Sequence, residues 1–78
     1  MEIVLAINDF CATPTISKTA LQIRVTIGVG HNFDDILDVT SNELTNDQIA
    51  ELHRLWADDN YPRNFTRNGD ELIITARN

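Results

Sequence analysis

The segment from Ala20 to Val29 alternates apolar and polar side chains more regularly than any other part of the chain. Successive side chains of a β-strand point to opposite faces, so a period of two is typical of a strand with one buried and one wetter face. The pattern therefore predicts a long strand, and its length favours a central place in a sheet. The apolar positions are Leu21, Ile23, Val25, Ile27 and Val29.

A second strand is predicted near the start of the chain. Residues Glu2–Ile7 are rich in β-branched and aliphatic side chains on both faces, which is typical of a well-covered strand. Residues 9–19 are less definite, because Pro14 lacks an amide donor and Thr13 before it favours extended backbone. They predict either a loop or an irregular edge segment.

The clearest helix signal lies in the middle of the chain. Thr45 and Gln48 have the spacing of a capping box, in which each side chain binds the other residue's backbone N–H. A helix is predicted to begin near Asn46 and to end at about Ala57 or Asp58. Its apolar stripe is predicted to consist of Ile49, Leu52, His53 and Trp56, with Leu55 at the border.

Two structures compete for residues 31–40. Asn32 is a suitable N-cap for a short helix, but Ile36–Thr40 also fits a short strand. The strand is favoured because Val39 and Thr40 are β-branched and lose side-chain freedom in a helix.

A β-hairpin is predicted for the end of the chain. Asn68-Gly69 is the strongest short hairpin signal, because both residues tolerate positive φ. The predicted arms are Arg63–Arg67 and Asp70–Ala76. A two-residue loop made of this pair sets Phe65 opposite Leu72.

These elements predict a single domain, residues 1–78, of the α+β class. We expect two layers, with an antiparallel sheet of about four strands packed against one amphipathic helix at about 46–58. The order of the strands does not follow from the sequence. At 78 residues the hydrophobic core is modest, which leaves little room for a deep active site.

The negative charge of the chain is concentrated in its middle third. Residues 34–59 hold eight carboxylates and one base, Arg54, for a formal charge of −7, while the whole chain carries −6. Segregated charge produces a field that selects partners. Tyr61 follows two of the acids, is held by the stiff Pro62, and is predicted to be an exposed aromatic anchor. The candidate partner-binding residues are Asp34, Asp35, Asp38, Glu43, Asp47, Glu51, Asp58, Asp59 and Tyr61.

Several functional classes are disfavoured by the same sequence. One lysine and five arginines without a basic run argue against direct nucleic-acid binding. His31, His53 and Cys11 do not form the ligand set of a zinc site or a recognisable catalytic group. We therefore expect no enzyme activity, no metal and no cofactor. No targeting or membrane segment is recognised, so a cytoplasmic protein is predicted.

A rigid row of carboxylates can imitate a nucleic-acid backbone and occupy a basic groove. The sequence thus predicts a non-enzymatic inhibitor that binds a basic surface of a nucleic-acid-handling complex. In size, acidity and lack of catalytic motifs the chain resembles small phage and mobile-element inhibitors, including anti-CRISPR proteins and DNA mimics, although no motif carries this resemblance. Two alternatives remain. One is that the acidic helix face is solvated and binds no partner, and that its charge only keeps the protein soluble. The other is a structural or adaptor module, monomer or homodimer, that self-associates through a strand edge or the second face of its sheet.

Overall fold

The computed structural model describes residues 1–76, which form five strands and two helices. The predicted α+β class is confirmed. The sheet, however, has five strands instead of about four, is mixed instead of antiparallel, and is covered by two helices instead of one. The elements are β1 (Glu2–Asn8), β2 (Thr15–Lys18), β3 (Gln22–Ile27), α1 (Phe33–Thr40), α2 (Asn46–Ala57), β4 (Arg63–Asn68) and β5 (Glu71–Ala76).

The first strand occupies the centre of the sheet, whose order is β2-β3-β1-β5-β4. β1 runs parallel to β3 and antiparallel to β5. The prediction that Leu21–Val29 forms a central strand is confirmed in that β3 is an inner strand with a neighbour on each side, although β1 holds the middle position. β1 takes the centre because it is apolar on both faces: Leu5 on one face and Ala6 on the other are both 0% exposed.

The strand from the alternating segment is shorter than predicted. β3 spans Gln22–Ile27, and the outermost members of the alternation, Leu21 and Val29, lie outside it with 81% and 70% of their surface exposed. Residues 9–19 contain the edge strand β2, which pairs antiparallel with β3. The edge-segment alternative is thus the one that the structure contains.

Residues 31–40 contain a helix, so the strand favoured for Ile36–Thr40 is wrong. The side chain of Asn32 accepts the N–H of Asp35, and the Asp35 carboxylate accepts the N–H of Asn32, both at 3.0 Å. At the other end, the buried hydroxyl of Thr40 donates to the Ile36 carbonyl at 2.8 Å. These local hydrogen bonds outweigh the low helix propensity of the β-branched residues.

The second helix begins and ends where the sequence predicts. α2 starts at Asn46, ends at Ala57, and has the reciprocal capping box between Thr45 and Gln48. Neither α2, with 12 residues, nor α1, with 8, is long and apolar enough to cross a membrane.

The buried side of α2 differs from the predicted stripe. Leu52 and Leu55 are 0% exposed, while Ile49 and Trp56 are only partly buried and His53 is exposed. Leu55 therefore belongs to the centre of the apolar side, and His53 does not. The reason is the second helix: α1 shares the cover of the sheet, and α2 turns His53 toward α1 instead of toward the strands.

The predicted hairpin is present with a different loop. Asn68 is the last residue of β4, the loop is Gly69-Asp70, and its glycine has φ +60° at the first loop position. Phe65 lies opposite Ile74 and not opposite Leu72. This shift of two residues leaves each side chain on its predicted face, because the side-chain period of a strand is two.

Both helices cover the same face of the sheet, and the hydrophobic core lies between them. On the opposite face, Arg24 of β3 and Glu71 of β5 form an ion pair of 3.2 Å. Arg24 lies beside Val4 of β1 and Glu71 lies beside Asn8, so the ion pair spans the central strand over Ala6. Val4 is only 2% exposed. The core consists of Ile3, Leu5, Ile23, Val25, Ile27, Ile36, Leu44, Leu52, Leu55 and Ile74.

Candidate functional site: the acidic helix layer

All eight carboxylates of the predicted surface lie on the helix side of the sheet. We define the acidic helix layer as residues 33–59, which comprise α1, the connecting turn, α2 and the two residues after it. Its eight carboxylates and single base, Arg54, give it a formal charge of −7. The acids are Asp34, Asp35 and Asp38 on α1, Glu43 in the turn, Asp47 and Glu51 on α2, and Asp58 and Asp59 directly after α2.

Five of these carboxylates are exposed and take part in none of the ion pairs within residues 1–76. They are Asp34, Asp38, Glu43, Asp47 and Asp58. Asp34 and Asp38 are one helical turn apart, so they lie on the same side of α1. Glu43 and Asp47 continue the series through the turn and into the start of α2. Residues 33–47 contain no lysine or arginine, and we call them the uniformly negative half of the layer.

Two bases of the sheet contact the layer, one at the turn that joins the helices and one at the end of α2. The ammonium group of Lys18 donates to the backbone carbonyl of Glu43 at 2.6 Å. Arg63 donates to the Leu55 carbonyl at 2.6 Å and lies 3.4 Å from Asp59, whose side chain is fully exposed. An exposed pair of this kind contributes little. The two bases therefore offset the field locally and leave α1 uncovered.

Two carboxylates have a structural role as well as a charge. Asp35 completes the cap of α1 by accepting the N–H of Asn32. Asp58 accepts the N–H of Asn60 at 2.9 Å in the turn that follows α2. Their orientation is fixed by backbone hydrogen bonds, so they contribute to the field of the layer more than to adaptable contacts.

Tyr61 is not the freely exposed aromatic anchor that the sequence predicts. Its ring is half-buried against the core, and its hydroxyl donates to the Glu51 carboxylate at 2.9 Å. This hydrogen bond, with smaller contributions from burial and from the charge of Glu51, raises the pKa of Tyr61 above its ordinary value of 10.0. Tyr61 therefore acts in the layer mainly by holding Glu51 in place.

A shallow depression lies along the exposed side of α2. Two small side chains, Ala50 and Ala57, form part of its lining, and the ring of His53 stacks on Phe33 of α1 with 4.6 Å between the ring centroids. Arg54 makes no ion pair with an acid in the described residues, so its charge interrupts the row along α2. The depression is lined by Ala50, His53, Arg54, Ala57 and Asp58.

The side chains of His31 and Cys11 form hydrogen bonds with backbone groups. Nδ1 of His31 accepts the N–H of Gly28 at 2.8 Å, so Nε2 carries the proton and donates to the Ala12 carbonyl at 3.2 Å. The Cys11 thiol donates to the Thr13 carbonyl at 2.9 Å. Both ring nitrogens are thus occupied, and residues 1–76 contain no cluster of three potential metal ligands.

The chain matches no protein family, no curated protein and no solved structure.

Proposed function

We propose that the protein is a non-enzymatic inhibitor whose acidic helix layer occupies a basic surface of a nucleic-acid-handling complex. The observation that supports this proposal is the formal charge of −7 on one side of the sheet, with five exposed carboxylates outside any ion pair of residues 1–76. Such a field attracts a cationic partner over a distance of about 10 Å at moderate salt and speeds the encounter.

The uniformly negative half of the layer is the best candidate for the contact itself. Asp34 and Asp38 are about 6 Å apart along the helix axis, at about 1.5 Å per residue. They stand on a helix that is capped by Asn32 and anchored in the core through Ile36. Carboxylates on a rigid element need less ordering when a partner binds, which favours affinity.

Occupation of an Arg/Lys groove would exclude the nucleic acid that the groove normally holds. The rest of the molecule suits this role, because the sheet gives the layer a stiff base and no catalytic step is needed. Phage and mobile-element inhibitors, including anti-CRISPR proteins and DNA mimics, are the type of protein that this mechanism describes. The partner is expected to be a protein with a basic surface, and the layer repels nucleic acid.

The proposal is tested by affinity capture with the intact chain as bait, in matched charge variants. Asp34→Asn/Asp38→Asn removes two charges from the layer, and Asp9→Asn/Asp70→Asn removes two exposed charges outside it. We expect the first pair to weaken partner binding at least tenfold and to reduce its salt dependence, and the second pair to have little effect.

Equal effects of the two pairs would show that only total charge matters, and would contradict a defined acidic site. Capture that is insensitive to added salt would contradict it as well, because a contact made by exposed charges weakens as salt rises. A second variant of the same kind, Glu43→Gln/Asp47→Asn, maps how far the contact extends from α1 into α2.

A further inference from the structure

The two edges of the sheet are protected to different degrees. β2 has only four residues and ends at Lys18, and both features discourage further strand pairing. β4 has six residues and keeps an unbroken register with β5 from Arg63 to Asn68. It contains no proline and no lysine. β4 is therefore the edge that is open to another strand.

The backbone of β4 offers alternate hydrogen-bonding groups to this edge. Asn68 is the last residue before a two-residue loop, so its N–H and C=O face β5, and the alternation of an antiparallel ladder directs those of Arg63, Phe65 and Arg67 outward. Within residues 1–76, no backbone hydrogen bond outside the sheet involves these three residues. The side chain of Phe65 is also 58% exposed.

We propose that β4 pairs antiparallel with β4 of a second copy of the chain, about a two-fold axis at Thr66. The two sheets then continue into one. This register places Thr66 opposite its own copy, Phe65 opposite Arg67, and Asn64 opposite Asn68. Each of these is a favourable cross-strand pair: a hydroxyl pair, an arginine next to an aromatic ring, and two amides. The strand is thus complementary to itself.

Neighbouring registers are disfavoured by charge. An axis at Phe65 sets Arg63 opposite Arg67, and an axis at Arg67 sets Arg67 opposite itself. Like charges directly opposite each other destabilise a strand pair. Directly opposite residues of two paired strands lie on the same face of the sheet, so the two-fold axis must pass at a residue and not between two residues. The axis at Thr66 avoids arginine pairs and keeps most of β4 paired.

The dimer would bring the acidic helix layers together. The two-fold axis of such a pair is perpendicular to the sheet, so both layers lie on the same side and face one partner. Two linked sites increase apparent affinity without any new contact. Dimer formation does not depend on the proposed inhibition and is measured without the inhibited partner, so either idea can fail alone.

Disulfide trapping tests the register directly. In a Cys11→Ser background, Thr66→Cys places one thiol per copy at the axis, in a non-hydrogen-bonded pair with Cα atoms about 4.5 Å apart. This lies within the range that a disulfide spans. The matched control is Asn64→Cys, on the same face, whose two thiols would be about 13 Å apart along the strands at about 3.3 Å per residue.

We expect mild oxidation to cross-link Thr66→Cys into a dimer and to leave Asn64→Cys monomeric, while Asn64→Cys/Asn68→Cys cross-links again. Sedimentation of the wild-type chain should show a concentration-dependent dimer. Arg67→Pro removes an outward N–H without breaking the hairpin. This variant should be folded by circular dichroism and monomeric by sedimentation.

Several results would overturn the proposal. They are a wild-type chain that stays monomeric up to millimolar concentration, equal cross-linking at positions 64 and 66, and a dimer that Arg67→Pro does not weaken. Pairing of β4 with an extended segment of a different protein, in place of a second copy, would overturn it too.

Discussion

The hydroxyl of Tyr61 donates a hydrogen bond of 2.9 Å to the carboxylate of Glu51. This bond joins the segment after α2 to the middle of the helix, and it holds one acid of the layer in a single orientation. The acidic helix layer therefore contains two kinds of carboxylate. Some are held by the fold, such as Glu51 and Asp35, and others are exposed, such as Asp34 and Asp38.

Ionisation of Tyr61 reports on this bond. The pKa of Tyr61 is raised by the hydrogen bond to Glu51, then by burial, then by the charge of Glu51. Because the folded-state pKa lies above the unfolded value, the bond stabilises the fold below pH 10 and is lost as pH rises through the folded pKa. Tyr61 is the sole tyrosine, so tyrosinate absorbance follows it alone.

We expect an absorbance midpoint above 10.0 in the folded protein. Glu51→Gln should lower the midpoint, because it removes the charged acceptor. Arg54→Gln should raise it, because Arg54 lowers the pKa of Tyr61. A midpoint that responds to neither variant would mean that the hydroxyl does not bind Glu51 in solution.

Gly28→Ala is predicted to destabilise the fold strongly. A Cβ at this position would overlap the carbonyl oxygen of Cys11, a backbone atom that cannot rotate away. Overpacking of this kind typically costs about 1–3 kcal/mol. The matched control is Gly30→Ala, where no atom lies within 4 Å of the added methyl group. Urea unfolding should separate the two variants, and equal midpoints would contradict the close approach of the two segments.

His31→Ala is predicted to destabilise more than His53→Ala. Loss of the His31 ring leaves the N–H of the buried Gly28 without its acceptor, which costs about 1–3 kcal/mol. His53 is exposed and contributes only its stack on Phe33, worth about 0.5–1.5 kcal/mol at most. Thermal unfolding of the two variants at neutral pH provides the comparison. A larger loss for His53→Ala would show that the contacts of His31 are not maintained.

The two exposed acids of α1 should differ in their effect on stability. Asp34 lies in the first turn, where a carboxylate interacts favourably with the helix dipole, whereas Asp38 lies in the second half of the eight-residue helix. The two also repel each other across one turn. We expect Asp38→Asn to stabilise the fold by about 0.3–1 kcal/mol, and Asp34→Asn to be neutral or destabilising.

The Asp38→Asn variant also bears on function. If this carboxylate contacts a partner, its removal should improve stability and weaken binding together, as is common for residues kept for activity. Denaturant unfolding and partner capture on the same preparation would measure both effects. A variant that gains stability without losing binding would place Asp38 outside the contact.

Local signals predicted the parts of the fold whose hydrogen bonds are local. The capping box at Thr45 and Gln48 set the start of α2, and the glycine of the hairpin located the last turn to within one residue. The same kind of signal was present at Asn32 and Asp35. The low helix propensity of the β-branched residues Val39 and Thr40 nevertheless favours a strand in the prediction. That propensity can be read from the sequence, whereas the hydrogen bond from the Thr40 hydroxyl to the Ile36 carbonyl cannot.

Contacts between distant segments had no comparable signal. Nothing near His31 in the sequence indicates that its ring binds the Ala12 carbonyl, because the loop after β1 reaches it only in the folded chain. The orientation of α2 likewise depended on α1, whose presence beside it turned His53 away from the sheet. The stripe read from α2 alone was therefore rotated toward the wrong side.

The concentration of acidic residues in 34–59 is a property of the sequence by itself, since charge follows residue identity whatever the fold. The same holds for α2 and the final hairpin, which depend on neighbours a few positions away. The tertiary structure decided that β1 lies at the centre, that the sheet is mixed, and that both helices cover one face. Those outcomes depend on which apolar surfaces bury each other, and only that packing places the acidic segment on a single side of the molecule.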